Sequence, residues 1–87
     1  MSDTSAIERE IQEYILREFL PGEKPENLTE STPLISGGVL DSIGMLKLVK
    51  HLEDNYQLEV EAHEVDVENF DTIALIANFV RAKKPGG

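Results

Sequence analysis

The sequence predicts an all-α protein: a small four-helix bundle of three main helices and one short helix, with a long loop after the first helix. Apolar residues recur at helical spacing in three segments, and turn-forming residues separate those segments. The one short stretch that alternates like a strand has no partner strand. With 87 residues, the chain is expected to form a single domain over residues 1–87, ordered over about residues 4–83.

The first helix is predicted over Ser5–Leu20, and Pro21-Gly22 should end it. Its apolar face is formed by Ile7, Ile11, Tyr14 and Ile15. The following loop, Gly22–Val39, is rich in Pro, Gly, Ser and Thr, and a loop this long in a small domain is usually functional or disordered. Its apolar residues should attach it to the core, which favours function: Leu28, Leu34 and Ile35.

The second helix is predicted over Ser42–Asn55, followed by an extended connector at Gln57–Ala62 and by one or two short helical turns within His63–Asn69. Asp71 should cap the last helix, Thr72–Lys83, and residues 84–87 should be a flexible tail. The predicted core consists of Ile15, Met45, Leu48, Val49, Leu52, Phe70, Ile73 and Ile76, with Tyr56 on the same stripe of the second helix.

The formal charge of −9, from 17 acidic and 8 basic residues, argues against binding to nucleic acids or anionic membranes. It would attract basic protein partners, or it only keeps the protein soluble. There is no cysteine, which excludes disulfides and thiolate metal sites. No apolar run is long enough to span a bilayer, and Met1–Leu20 is too charged for a signal peptide, so we expect a cytoplasmic monomer.

A catalytic site is not predicted. Ser42 and His51 are nine positions apart in one helix, about 13 Å of rise, too far for a nucleophile and its base, which makes a serine hydrolase improbable. Both His51 and His63 are interpreted as surface residues. The acidic residues Glu64, Asp66, Glu68 and Asp71 lack the spacing of a calcium loop and are interpreted as a solvated face. We therefore expect no metal site.

The junction Gly37–Leu46 combines two glycines, an Asp-Ser pair and the start of the second helix. Either Asp41 or Ser42 could cap that helix. Ile43 and Leu46 fall outside its core stripe, towards Lys47 and Lys50, which suggests a docking surface for a partner. Gly44 would leave room for a molecule to approach Ser42, although a glycine merely tolerated in the helix is the simpler reading.

This order of elements, with Gly38–Ile43 at the junction, resembles the acyl carrier protein superfamily over about Ile7–Val80. The resemblance implies that a phosphopantetheinyl transferase attaches 4'-phosphopantetheine from coenzyme A to Ser42. The thiol of that arm would hold an acyl or aminoacyl group as a thioester. Asp41 would lie beside the transferase's metal and orient the site. Ser42 would therefore carry a cofactor rather than catalyse.

Within the superfamily, carriers of fatty acid synthesis typically have acidic residues two and five positions after the serine, where this chain has Gly44 and Lys47. Val39–Gly44 is more similar to D-alanyl carriers and stand-alone peptidyl-type carriers. This implies loading by an adenylating ligase and delivery of the cargo to a synthase or tailoring enzyme of specialised metabolism. Gly44 and the polar character of the second helix suggest a short or polar cargo that stays largely outside the bundle. The alternative is an unmodified helical adaptor that docks through Ile43 and Leu46.

Overall fold

The computed structural model describes residues 3–83, with side chains from residue 6 onwards. Four α-helices follow one another: α1 (Asp3–Phe19), α2 (Ser42–Tyr56), α3 (Val67–Phe70) and α4 (Ile73–Lys83). Two single 3₁₀ turns lie at Pro25–Asn27 and Ala62–Glu64, and no strand occurs within residues 3–83. The all-α bundle with one short helix is therefore confirmed. The predicted tail, residues 84–87, lies outside the described residues.

The core draws on all four helices and on the loop after α1. Its fully buried side chains are Ile11, Ile15, Leu28, Leu34, Leu48, Leu52, Phe70, Ile73, Ile76 and Val80. The predicted core is thus confirmed with one difference, because Val49 is only partly buried at its edge, as is Tyr56. Among the described helices, none combines the length and apolarity that crossing a bilayer requires.

The long loop is anchored in the core rather than draped over it. Leu28 and Leu34 are fully buried, as predicted, and Ile35 is partly buried. The side-chain amide of Gln12 on α1 donates hydrogen bonds to the carbonyl oxygens of Pro25, at 3.0 Å, and Leu28, at 2.7 Å. These hydrogen bonds replace those that the two carbonyl groups would form in a helix or a strand, so the segment keeps a defined shape.

The predicted extended connector after α2 is confirmed over residues 57–61, which form neither helix nor strand, whereas Ala62 already belongs to the 3₁₀ turn. Gln57 ends α2 in the left-handed conformation, with φ of 57°. Leu58 then inserts into the core, and the N–H of Val60 donates to a carboxylate oxygen of Glu53 at 2.9 Å. The connector needs no partner strand, because a side chain of α2 accepts its hydrogen bond.

The prediction of a solvated acidic face between α2 and α4 was wrong for Glu64 and Asp71, whereas Asp66 and Glu68 are exposed as predicted. Glu64 forms a reciprocal capping box with Glu61 and an ion pair of 2.8 Å with Lys83. The hydrogen bond from Lys83 is the main reason that the pKa of Glu64 is lowered. Asp66 caps α3 by accepting from the N–H of Asn69 at 3.0 Å. These carboxylates hold the short elements together.

The predicted cap of the last helix was also wrong by one residue. The hydroxyl of Thr72 accepts from the N–H of Leu75 at 3.1 Å, which is the capping contact at the start of α4. The carboxylate of Asp71 instead faces the long loop, where it accepts hydrogen bonds from Ile35 and Ser36. Asp71 therefore joins the junction between α3 and α4 to the segment that leads to α2.

Candidate functional site

The start of α2 is capped by Asp41 and not by Ser42. Asp41 has an extended backbone, and its Oδ1 accepts from the N–H of Gly44 at 2.7 Å. Ser42 is the first residue of the helix, its side chain is exposed, and its hydroxyl forms no hydrogen bond within the described part of the chain. The hydroxyl is thus presented to solvent at the positive end of the helix dipole.

Gly44 has a packing role that differs from the predicted one. It is buried, and a Cβ at this position would lie 3.2 Å from Cε1 of Phe19 and 3.2 Å from Oδ1 of Asp41. The space that glycine leaves is therefore already filled by the end of α1 and by the capping carboxylate. The idea that Gly44 lets a partner approach Ser42 is wrong, because this glycine faces the interior.

We call Ile43, Leu46, Lys47 and Lys50 the docking patch. Ile43 and Leu46 are 66% and 67% exposed, as the helical angles predict, and both lysines are exposed. Lys50 forms a solvent-exposed ion pair of 3.5 Å with Asp54, whereas Lys47 forms no ion pair within residues 3–83. An exposed apolar pair beside charged groups is the composition of a protein-binding surface.

A second apolar surface lies beside Ser42, in an open cleft of about 550 Å³ between the long loop, α2 and the segment that enters α3. Its lining residues are Ile35, Leu40, Asp41, Ser42, Met45, Leu46, Val65, Asp66 and Val67. Ser42 and Leu46 belong to this cleft as well as to the exposed face of α2. The site therefore offers a free hydroxyl with apolar surface directly beside it.

The interpretation of His51 as a simple surface residue was wrong. Its side chain is only 17% exposed, its ring stacks on Tyr14 at 3.8 Å between centroids, and its Nε2 lies 2.7 Å from a carboxylate oxygen of Glu10. The hydroxyl of Tyr56 donates to the other oxygen of Glu10 at 2.8 Å. This network joins α1 to α2 and engages His51 away from Ser42. His63 is exposed, as predicted.

The network also changes the ionisation of a tyrosine. Burial, together with the hydrogen bond to Glu10, raises the pKa of Tyr56 well above its ordinary value. The neutral phenol is therefore the form that the fold stabilises. Nothing in the sequence pattern signals this network, because Glu10 and Tyr56 are 46 residues apart.

Comparison with known proteins agrees with the geometry of the site. The model of a family described as a phosphopantetheine attachment site matches residues 15–80. A chain of a solved structure, "Crystal structure of FAD-dependent dehydrogenase", is 30% identical, superposes with a TM-score of 0.73, and is matched over 80% of this chain and 97% of its own length. No curated protein sequence matches. The chain therefore belongs to the phosphopantetheine-attachment family of the acyl carrier protein superfamily, whose domains bind 4'-phosphopantetheine covalently.

Proposed function

We propose that Ser42 is the attachment residue and that the protein is an acyl or aminoacyl carrier. The observation that supports this most directly is the division of roles at the start of α2. Asp41 supplies the cap, which leaves the hydroxyl of Ser42 exposed and without a hydrogen bond in the described part of the chain. A hydroxyl that neither caps the helix nor supports the fold is available for modification.

The other serines with described side chains are placed differently. The hydroxyl of Ser36 donates to both carboxylate oxygens of Asp71, and the hydroxyl of Ser31 lies 3.4 Å from that of Thr29. Neither lies at the start of an α-helix. Ser2 and Ser5 fall outside the described side chains.

The surroundings of Ser42 suit a phosphodiester. The first N–H groups of α2 and its dipole favour negative charge at this end of the helix. Asp41 would stand beside the metal of a phosphopantetheinyl transferase and orient the junction. When attached, the arm supplies a thiol, which the cysteine-free chain lacks, and that thiol carries the cargo as a thioester. Carrier domains of this kind are typically not catalysts.

The cargo and the pathway are inferred from the sequence around the site. Lys47 replaces an acid found in carriers of fatty acid synthesis, which supports loading by an adenylating ligase in specialised metabolism. The core beside the site is filled by fully buried side chains such as Leu48 and Phe70. This supports a short or polar cargo that stays outside the bundle. We propose that the carrier acts in the cytoplasm. Gly44 does not support a short or polar cargo, because the close packing of Phe19 and Asp41 around it accounts for the glycine.

One downstream partner is suggested by the similar solved chain. The match covers 80% of this chain and 97% of that chain, so the matched chain has about the length of a carrier domain. The structure that contains it is described as an FAD-dependent dehydrogenase. We infer that a flavin-dependent tailoring enzyme is a suitable recipient. It would dehydrogenate the attached cargo, with the enzyme's flavin accepting a hydride and a base of the enzyme accepting a proton. Intact-mass measurement of the loaded carrier, before and after such an enzyme acts, tests this directly.

The attachment itself is tested by incubating the protein with coenzyme A and a broad-specificity phosphopantetheinyl transferase. We expect the wild type to gain the mass of one phosphopantetheinyl group and Ser42→Ala to gain none. The variant should unfold at the same temperature as the wild type, because Asp41 supplies the cap. A wild type that is never modified would leave the unmodified adaptor, docking through Ile43 and Leu46, as the better explanation.

A further inference from the structure

The carboxylate of Asp71 is the most heavily used acceptor outside the helices. Its Oδ1 accepts from the N–H of Ile35 and from the N–H of Ser36, each at 2.9 Å, and its Oδ2 accepts from the hydroxyl of Ser36 at 2.9 Å. The carbonyl oxygen of Asp71 accepts from the N–H of Leu34 at 2.6 Å. One residue at the junction of α3 and α4 thus binds three consecutive residues of the long loop.

These three residues begin a tight turn that has little freedom to change shape. The carbonyl oxygen of Leu34 accepts from the N–H groups of Val39, at 2.8 Å, and Leu40, at 2.9 Å, which closes the turn. Gly38 has a φ of +83°, a conformation that side chains disfavour, and a Cβ on Gly37 would collide with the carbonyl oxygen of Pro33. Because the turn is rigid, a displacement of its first residues would also displace its last residues.

The turn ends at the proposed attachment site of the cofactor. Leu40 is buried, Asp41 caps α2, and Ser42 follows at once. The same turn supplies Ile35 and Leu40 to the cleft beside Ser42. A shift of the turn would move the capping residue and one wall of the cleft together.

We propose that Asp71 is a positioning residue for Ser42: by holding the turn that leads to α2, it sets the place of the serine hydroxyl and of the cleft beside it. This inference rests on the proposed function, because it assigns Asp71 to the presentation of that serine. In this proposal Asp71 acts through the turn and not by direct contact with the cofactor or the transferase. It determines the shape of the surface around Ser42 that the transferase would bind.

The ionised form of the Asp71 carboxylate is the one that holds the turn most strongly. The hydrogen bond from the backbone N–H of Ser36 is the largest cause of a lowered pKa at Asp71, and no charged side chain is among the causes. A lowered pKa in the folded state means that this stabilisation is present above the ordinary aspartate range and is lost as the pH falls through the folded-state value. Protonation should therefore loosen the turn.

The first test compares three variants in the transferase assay. Asp71→Ala removes the two carboxylate oxygens and keeps the main-chain carbonyl that accepts from Leu34. It should lower kcat/KM for modification by about tenfold, because small displacements of a reacting group are costly. Asp71→Asn keeps one oxygen that can accept from both N–H groups but loses the negative charge, so its rate should lie between those of Asp71→Ala and the wild type. Thr72→Ala removes the neighbouring cap of α4 without touching the loop, and it should change the rate less than twofold.

The second test needs no modification. In the unmodified wild type, the amide resonances of Ile35 and Ser36 should titrate together below the ordinary aspartate range, and that of Ser42 should follow with the same midpoint. This titration should vanish in Asp71→Asn. If Asp71→Ala does not fold, Ser36→Ala removes only the hydroxyl contacts and should slow modification by a smaller factor.

The inference is overturned if the Asp71→Ala rate equals that of Thr72→Ala, or if the Ser42 resonance does not follow the other two. Either result leaves the proposed function intact as long as the wild type is modified on Ser42. A wild type that is never modified contradicts the proposed function instead, and the titration still reports whether Asp71 and Ser42 are coupled. The two failures are therefore distinguishable.

Discussion

The two ends of α2 are held in opposite ways. At its start, one carboxylate, that of Asp41, satisfies the backbone, and the side chains of Ser42, Ile43 and Leu46 project into solvent. Towards its end, His51 and Tyr56 share the carboxylate of Glu10 and fasten the helix to α1. One helix thus combines an end whose side chains are free for partners with an end whose side chains secure the bundle. Changes at the two ends should affect different measurements.

The largest expected effect is on docking at the free end. Ile43→Asp places a charge at the centre of the docking patch and should slow loading by the cognate ligase about thirtyfold, a centre-of-interface loss of about 2 kcal/mol. Thermal unfolding should not change, because Ile43 is exposed. Leu75→Asp, at an exposed apolar position of α4, is the control. Equal loading rates for both variants would remove Ile43 from the recognition surface.

The second effect is on stability at the fastened end. Glu10→Ala leaves His51 and Tyr56 without their shared acceptor and should lower the free energy of unfolding by about 1–2 kcal/mol. Modification of Ser42 should proceed at the wild-type rate at temperatures where the variant is folded. Glu13→Ala, exposed on the same helix, should stay within about 0.5 kcal/mol of the wild type in chemical denaturation. Matching losses in the two variants would mean that the network adds no stability.

A smaller effect is expected from the lysines of the docking patch. Lys47→Glu with Lys50→Glu should slow loading by the cognate ligase about threefold at low salt and less at high salt, because rim charges act mainly on association rates. The double variant Lys24→Glu with Arg81→Glu changes the net charge equally on exposed residues outside the patch. If both pairs slow loading alike, overall charge is responsible and the two lysines only balance residues such as Asp54.

The smallest effect is expected at Gly44, which lies in the first turn of α2 and faces inward. Alanine would gain about 1 kcal/mol of helix propensity, while its Cβ would press on Phe19 and on the capping carboxylate. The free energy of unfolding of Gly44→Ala should therefore stay within about 0.5 kcal/mol of the wild type. A loss well above that value, measured by denaturation, would show that the ring of Phe19 cannot move aside.

The features that the sequence predicted correctly are those that depend on near neighbours in the chain. Helical spacing located α1, α2 and α4 and placed Ile43 and Leu46 in solvent. The errors about Asp71 and His51 concern contacts between distant residues: Asp71 and Ser36 are 35 positions apart, and Glu10 and His51 are 41 apart. Periodicity carries no information about such pairs. Nor does a helical projection show what fills the space beside a glycine, which is why Gly44 was misread.

The anchoring of the long loop in the core has a consequence for how this protein can be re-engineered. Irregular segments are usually the permissive places for inserted tags, circular permutation and protease cleavage. Here that segment supplies Leu28 and Leu34 to the core, and its turn requires glycine at two successive positions. An epitope or fluorescent domain spliced into it would split the core rather than extend a surface. The part of this irregular segment from Leu28 to Leu40 is therefore among the stretches of the protein that are least tolerant of insertion.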